Sequence, residues 1–448
     1  MNKNTAMRRV WRVLWIAGAA VIPAAGLCFG SYQIEYDQDP IRYTATQAQD
    51  PVARLQEEIA QGKIKLKYEG RHGYLLSVLQ QLKIPLSSQM LVFSKTSFQH
   101  ELISPQFPRA LYFNASTYVG WVRGSNLLEL ASVDPQLGAV FYVLPQVDSP
   151  TPKFIRQTQE CLQCHDSGMA DNVPGFMMRS VYPDHSGHPI LTQGSFVTTD
   201  QSPMKERWGG WYVTGKHGAQ AHMGNMLARN EAAPEDTDWG AGGNLSSLKE
   251  LVDTSPYPTR SSDIVALLIS EHQTHTQNLI TRANHETRKA LHYQQALNKE
   301  WGRPADTGLE SVQSRIKSVG EPLVKALLFS GDPPLSEQVH GNSGFAEWFS
   351  AQGAHDKLGR SLFMLDLTHR LMRYPCSYLI YSEAFDALPL QVKEYIYRRL
   401  REILSGTDRT SAFAHLSDAD RKAVLEILRE TRPEFAVWIS HHNAAQTK

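Results

Sequence analysis

Between residues 89 and 146 apolar positions come in short aromatic or β-branched runs: "QMLVFS", "RALYFN", "TYVGWVRG", "LLELASVD" and "AVFYVLPQ". Gly, Pro, Asn and Asp separate them, which predicts strands of an antiparallel sheet. "HPILTQGSFVTTD" and "RWGGWYVTG", within residues 188 to 215, continue that pattern. Two short helices are predicted ahead of the sheet, over "PVARLQEEIAQG" and "HGYLLSVLQQLKI". After about residue 245 the spacing turns helical. The segment opening at "SSDIV" begins with capping residues and predicts a helix of about ten turns. Further helices are expected over roughly 308 to 329, 360 to 373, 390 to 405 and 417 to 431. The expected class is α+β, with a β-rich N-terminal half and an α-helical C-terminal half. No repeat of 20 to 50 residues is visible.

The start of the chain differs. Arg8, Arg9 and Arg12 precede an apolar run from Val13 to Phe29. This is the layout of a secretory signal or an N-terminal membrane anchor, at the short end for a spanning helix. Ala24, Ala25 and Gly26 offer small residues for cleavage, and Leu27 before Cys28 argues against a lipoprotein signal. The expected organisation is a signal or anchor over 1–30, a polar linker over 31–50, an α+β region over 51–244 and a helical region over 245–448. Either reading of the leader puts the remainder in the periplasm, soluble after cleavage or anchored to the inner membrane by residues 13–29.

Composition narrows the classes. The 448 residues are 42 % hydrophobic, enough for an extensive core. Lys plus Arg equals Asp plus Glu at 45 each, so charge gives no reason to expect a nucleic-acid partner. Only three of the four cysteines, Cys161, Cys164 and Cys376, lie beyond the leader. That is too few for a disulfide framework. Cys376, in "RYPCSYLIY", reads as a small buried apolar residue.

The other two cysteines fall in "QECLQCHDSG", between the two β-rich stretches, on an expected helical turn beginning near Phe154. Cys161-Leu162-Gln163-Cys164-His165 has the spacing for covalent haem attachment: two thiols one turn apart can each add to a haem vinyl, and the next histidine is held to bind iron. With this composition, chance would supply about 0.001 such motifs per chain. Two rivals exist. A Cys161–Cys164 redox disulfide would suit a βαβ unit, which the pattern lacks. A zinc site could recruit His185 and His188, although "YPDHSGHPI" reads as a hairpin turn.

"CLQCH", together with the leader, resembles the c-type cytochromes. The resemblance covers those residues only, and a motif at position 161 inside a β-rich region departs from the small single-haem carrier. It implies one covalent haem c, held by Cys161 and Cys164 with His165 on the iron. A single motif argues against a di-haem or multihaem arrangement on this chain. For the sixth ligand, "RWGGWYVTGKHGAQAHMGNM" offers His222 first, then His217 and Met223. Met177, Met178 and His272 of "EHQTHTQN" are the remaining candidates. The expected function is electron transfer with a redox partner protein or a small-molecule donor or acceptor. The alternative is a haem enzyme or small-ligand sensor with an open distal site, since one haem needs far less chain than this. No P-loop, dinucleotide fingerprint or nucleophile–base pair stands out to supply other chemistry.

Overall fold

A seven-stranded antiparallel sheet organises the molecule, in the order β6-β5-β4-β3-β2-β1-β9. Its strands are β1 (Met90–Val92), β2 (Arg109–Phe113), β3 (Thr117–Trp121), β4 (Leu127–Asp134), β5 (Gly138–Pro145), β6 (Ile155–Gln157) and β9 (Trp211–Tyr212). A separate hairpin pairs β7 (Met178–Val181) with β8 (Ser195–Thr198). The computed structural model describes residues 35–231 and 233–446. The basic start and apolar run lie outside the described residues, among which no helix is long and apolar enough to cross a membrane.

Strand alternation gives the sheet two differently covered faces. Phe113, Tyr118, Ala131 and Phe141 form one cross-strand row. A long helix lies against this face: Gln273 donates to the Tyr118 hydroxyl at 2.7 Å, and Tyr118 donates to Gln277 at 2.8 Å. The opposite face carries Tyr142, bonded to Asp50, the N-cap of α1 (Pro51–Ala60). On the same side Asn114 donates to the Leu82 carbonyl at the end of α2 (Leu75–Gln81). Residues 35–50, read from sequence as a linker, bring Tyr36, Ile41 and Tyr43 into the core.

The cysteine motif forms α3 (Leu162–His165). The long helix is α4 (Ile264–Glu300), capped by Asp263, whose carboxylate accepts from the Val265 and Ala266 N–H groups. After it come α5 (Glu310–Leu327), α6 (Phe345–Ser350), α7 (Glu383–Asp386), α8 (Leu390–Leu404), α9 (Asp418–Thr431) and α10 (Pro433–Gln446). The architecture is thus α+β, β-rich first and helical second. Both halves feed one continuous hydrophobic cluster.

Two sequence expectations are corrected. Residues 360–373 are irregular: Leu365 bridges to Met372, Leu367 has φ +60°, and the Asp366 carboxylate accepts from the N–H groups of Thr368 and His369. An aspartate that bonds the backbone ahead of it favours a turn over a helix. The helical turn expected near Phe154 begins at Cys161, because residues 155–157 pair with β5 instead.

Candidate functional site

α3 is a single turn stapled into the protein by Leu162, which is fully buried. The His165 N–H donates to the Cys161 carbonyl at 3.0 Å, and Ser167 caps the turn by donating its hydroxyl to the Cys164 carbonyl at 2.7 Å. One turn therefore separates two sulfurs with different surroundings. Cys164 is exposed, whereas Cys161 is half-buried against the core. Burial, then the nearby Glu129 carboxylate, pushes the Cys161 thiol up to about 12. Both thiols are free.

The histidine of the motif is held by two reciprocal bonds. His165 Nδ1 lies 2.9 Å from the Gly175 carbonyl, and the Gly175 N–H donates to the His165 carbonyl at 2.9 Å. A carbonyl oxygen can only accept, so Nδ1 carries the proton and Nε2 keeps its lone pair. No hydrogen bond among the described residues uses Nε2. Burial holds the imidazole below its ordinary pKa, so it is neutral at pH 7. Histidines that ligate metals usually donate the other ring N–H to a carbonyl or carboxylate, which fixes tautomer and ring orientation. His165 meets that requirement without help from any ligand.

Gly175 is where this geometry is set. A Cβ there would fall 2.4 Å from the Asn278 amide oxygen, so only glycine fits. Asn278, on α4, clamps the next residue: Phe176 N–H donates to its oxygen, and its NH₂ donates to the Phe176 carbonyl, both at 2.8 Å. Phe176 packs against Tyr118 with its ring tilted by 40°, and His165 rests 4.8 Å from the Phe141 ring. Next to this row Arg109 folds over Gly120 and pairs its Nη2 with Glu129 Oε2, while Arg109 Nε is buried without a hydrogen bond among the described residues. The sheet face beside the motif therefore offers apolar contact and one incompletely satisfied ion pair.

The other candidates for the iron lie elsewhere. The loop bearing His222 is bonded to β9, through Asn225 to Trp211 and Val213. Five strand steps separate β9 from β5, where His165 packs. At about 4.8 Å a step this is roughly 24 Å. Two ligands on one metal sit about 4 Å apart, given metal–imidazole bonds of about 2 Å. His222, His217 and Met223 are thus not brought to His165. His222 and His217 instead face each other in the core, 4.7 Å apart, and His222 is also 5.2 Å from Trp208. Burial, then His217, pushes His222 down to about 3. Met223 receives the Ser180 hydroxyl at its sulfur. Met178 is buried in β7, while Met177, two residues beyond Gly175, is half-buried. His185 pairs with Glu231 in the 184–188 turn, which lies against β1 through the Lys95–Gly187 bond. It is not brought to Cys161 either. Among the described residues no group of three or more His, Cys, Asp or Glu is arranged to hold a metal ion.

His272 belongs to a buried network that the sequence did not reveal. Its Nδ1 is 2.6 Å from Asp200 Oδ2 and its Nε2 is 2.7 Å from Ser377 Oγ, so both ring nitrogens are engaged. The second Asp200 oxygen takes His275 Nδ1 at 2.8 Å. One position before His272, Glu271 pairs with Arg207 at 2.7 Å, and Arg207 also donates to the Asp200 and Ser202 carbonyls. Asp200, His272 and Ser377 are placed like a hydrolytic triad, but Ser377 is fully buried. A nucleophile must reach its substrate, so the arrangement is a structural network. Asp200 and Ser377 sit in loops 72 and 105 residues from His272, with no motif to announce them. The only signal was the run of polar residues on α4, which reads equally well as a solvated stripe.

Glu271 supplies a pH prediction. Burial raises its pKa from 4.5 to about 7, against the pull of Arg207. Its stabilising contribution is full below the unfolded value and is lost as pH rises through the folded one. Glu271→Gln removes that dependence. The stability difference between variant and wild type, from urea unfolding at about pH 5 and about pH 8, is expected to move in the variant's favour by about 2–3 kcal/mol. A difference that stays constant with pH would show Glu271 ionised throughout.

Comparisons with family models, with curated proteins and with solved structures return no match to this chain. The functional reading rests on the geometry above.

Proposed function

We propose that this chain is an exported c-type haem protein that carries one haem on Cys161 and Cys164, with His165 as the iron ligand, and passes electrons to or from a redox partner. The observation that carries the reading is the state of His165: its Nδ1 proton is committed to the Gly175 carbonyl, so its Nε2 lone pair remains for iron. The exposed Cys164 and half-buried Cys161, one turn apart and both free, would be the two sulfurs that hold the haem. A haem bound there supplies one-electron chemistry between ferrous and ferric iron. The chain fixes the imidazole tautomer, anchors the turn through Leu162 and packs Phe141 against the ring.

Of the six candidate sixth ligands, Met177 and Met178 lie nearest Gly175 along the chain, and Met177 is the half-buried one of the two. Two extended residues span about 7 Å, and Gly175 is in contact with His165. In this reading Met177 would be the second residue to hold the iron, and the periplasm would supply the partner.

The reduced protein is expected to show a low-spin haem spectrum that carbon monoxide leaves unchanged. Met177→Ala is expected to convert it to a high-spin, carbon-monoxide-binding form. A wild-type spectrum that is already high-spin, or that shifts rapidly with carbon monoxide, would favour the second reading, a haem enzyme or small-ligand sensor. One observation favours that alternative: a cavity of about 380 Å³ bordered by Asp200, which bonds His275.

A further inference from the structure

The cavity beside the Asp200 network is built like a binding site, and its reading does not depend on the haem. Leu268, Phe329, Leu371 and Met372 supply apolar wall, and Arg370, His369 and His415 also border it. At about 380 Å³ it falls in the range of small-molecule sites. Its polar end carries two carboxyl groups, Asp200 and Asp332. They come from separate loops that a bond from Gln201 to the Ser330 carbonyl, 2.9 Å, holds together.

The two carboxyls differ in what satisfies them. Asp200 is taken by His272 and His275. The Asp332 backbone N–H bonds the Phe329 carbonyl, but its carboxyl Oδ1 is buried without a hydrogen-bond partner among the described residues. The backbone around it, Gly331 at φ +94° followed by Pro333 and Pro334, has little freedom to turn the carboxyl elsewhere. Arg207 also borders the cavity, but it is turned to Glu271 and to the Asp200 and Ser202 carbonyls. Burial and the Asp200 charge both act against ionisation of Asp332. A buried carboxyl oxygen without a partner costs stability. The Arg207 charge is felt at Asp332 but makes no hydrogen bond to it, so Oδ1 remains open to a donor brought by a ligand.

We infer that this cavity binds a small organic cation, a primary ammonium on an apolar body, with the ammonium at Asp332 and Asp200 and the apolar part against Leu268, Phe329 and Leu371. An anion would meet two carboxyls there. A neutral hydroxyl could donate to only one of them.

The test uses the purified full-length protein and three probes of one shape: 2-phenylethylammonium, 2-phenylethanol and phenylacetate. Calorimetric titration is expected to show saturable binding of the ammonium, at least tenfold tighter than the alcohol, and none of the carboxylate. Asp332→Asn is expected to weaken the ammonium at least tenfold and leave the alcohol within about twofold, because Asp332 Oδ1 supports no other bond. Leu335→Trp, which fills the cavity from its rim, is expected to abolish binding of both. The inference is overturned if the alcohol or the carboxylate binds as well as the ammonium. It is equally overturned if a folded Asp332→Asn or Leu335→Trp protein binds the ammonium like wild type, or if the wild type does not take it at about 1 mM. Haem content and spectrum, recorded on the same samples, keep a failure here distinct from a failure of the haem reading.

Discussion

Alanine at both Cys161 and Cys164 is expected to leave the exported protein with no haem that survives acid–acetone extraction, whereas the wild type keeps its colour through that treatment. The expectation follows from the turn itself. The two sulfurs are the only thiols near one another among the described residues, since Cys376 is buried elsewhere in the core. Among the described residues no disulfide is present to be lost. The single variants separate the two roles. Cys164→Ala removes an exposed sulfur and is expected to leave stability unchanged while one thioether remains. Cys161→Ala removes a sulfur packed on the core and is expected to cost about 1 kcal/mol in addition. His165→Ala retains both sulfurs, so haem is expected to stay covalently attached while the low-spin spectrum is lost. Mass spectrometry of the intact chain reads the attachment, and the visible spectrum reads the ligation. A wild-type protein, exported in cells that attach haem, that comes out colourless and at its bare polypeptide mass would end the reading.

Much of the scaffold around this turn was legible in the sequence, and the reasons are physical. Strands β1 and β5 read as short continuous apolar runs because both faces of the sheet are covered: one carries Tyr142 toward α1 and the other carries Phe141 toward α3. α4 announced itself through its Asp263 cap and its length. The Cys161–His165 spacing is local, so one turn of helix realises it directly. What failed was everything that depends on distant segments meeting. His222 was attractive because aromatics and glycines surround it, and those same residues make it a core histidine: Gly224 donates to its Nδ1, and Trp208, at φ +67°, packs against its ring. The sheet then carries it away from His165 by the width of five strand steps. The residues that orient His165, Gly175 and Asn278, lie 10 and 113 positions further along, and neither belongs to a motif that sequence alone would flag. On α4 the failure was one of period. Glu271, His272, Gln273, Gln277 and Asn278 cover several sides of the helix, and all are buried because the sheet, the β8 loop and the C-terminal helices enclose it. A polar stripe and an enclosed polar network share one sequence pattern until the partners are known.

The enclosed network gives the second large effect. Arg207→Met is expected to destabilise the protein by about 2–4 kcal/mol, because it removes the counter-ion of Glu271, whose carboxyl must then take up a proton or stand as an unpaired buried charge. Arg207 is 5 % exposed and Glu271 0 %, so water cannot replace the lost partner. The pair alone does not set the cost. Arg207 also satisfies the carbonyls of Asp200 and Ser202, so its removal loosens the loop that presents Asp200 to His272 and His275. The double variant Arg207→Met/Glu271→Leu distinguishes the contributions. Removing both charges cancels the uncompensated carboxylate, and if the ion pair were the whole story the double variant would recover wild-type stability. The two stranded carbonyls predict otherwise: recovery is expected to be partial, with about 1–3 kcal/mol of the loss remaining. Urea midpoints at constant slope read these differences. A double variant as stable as wild type would assign the whole effect to charge burial, and one as unstable as Arg207→Met would assign it to the loop. Because the network lies on α4 beside Asn278, the helix residue that clamps Phe176, loosening it is also expected to broaden the environment of His165. The low-spin haem spectrum of the Arg207→Met protein, recorded below its unfolding transition, would register that as a growing high-spin fraction.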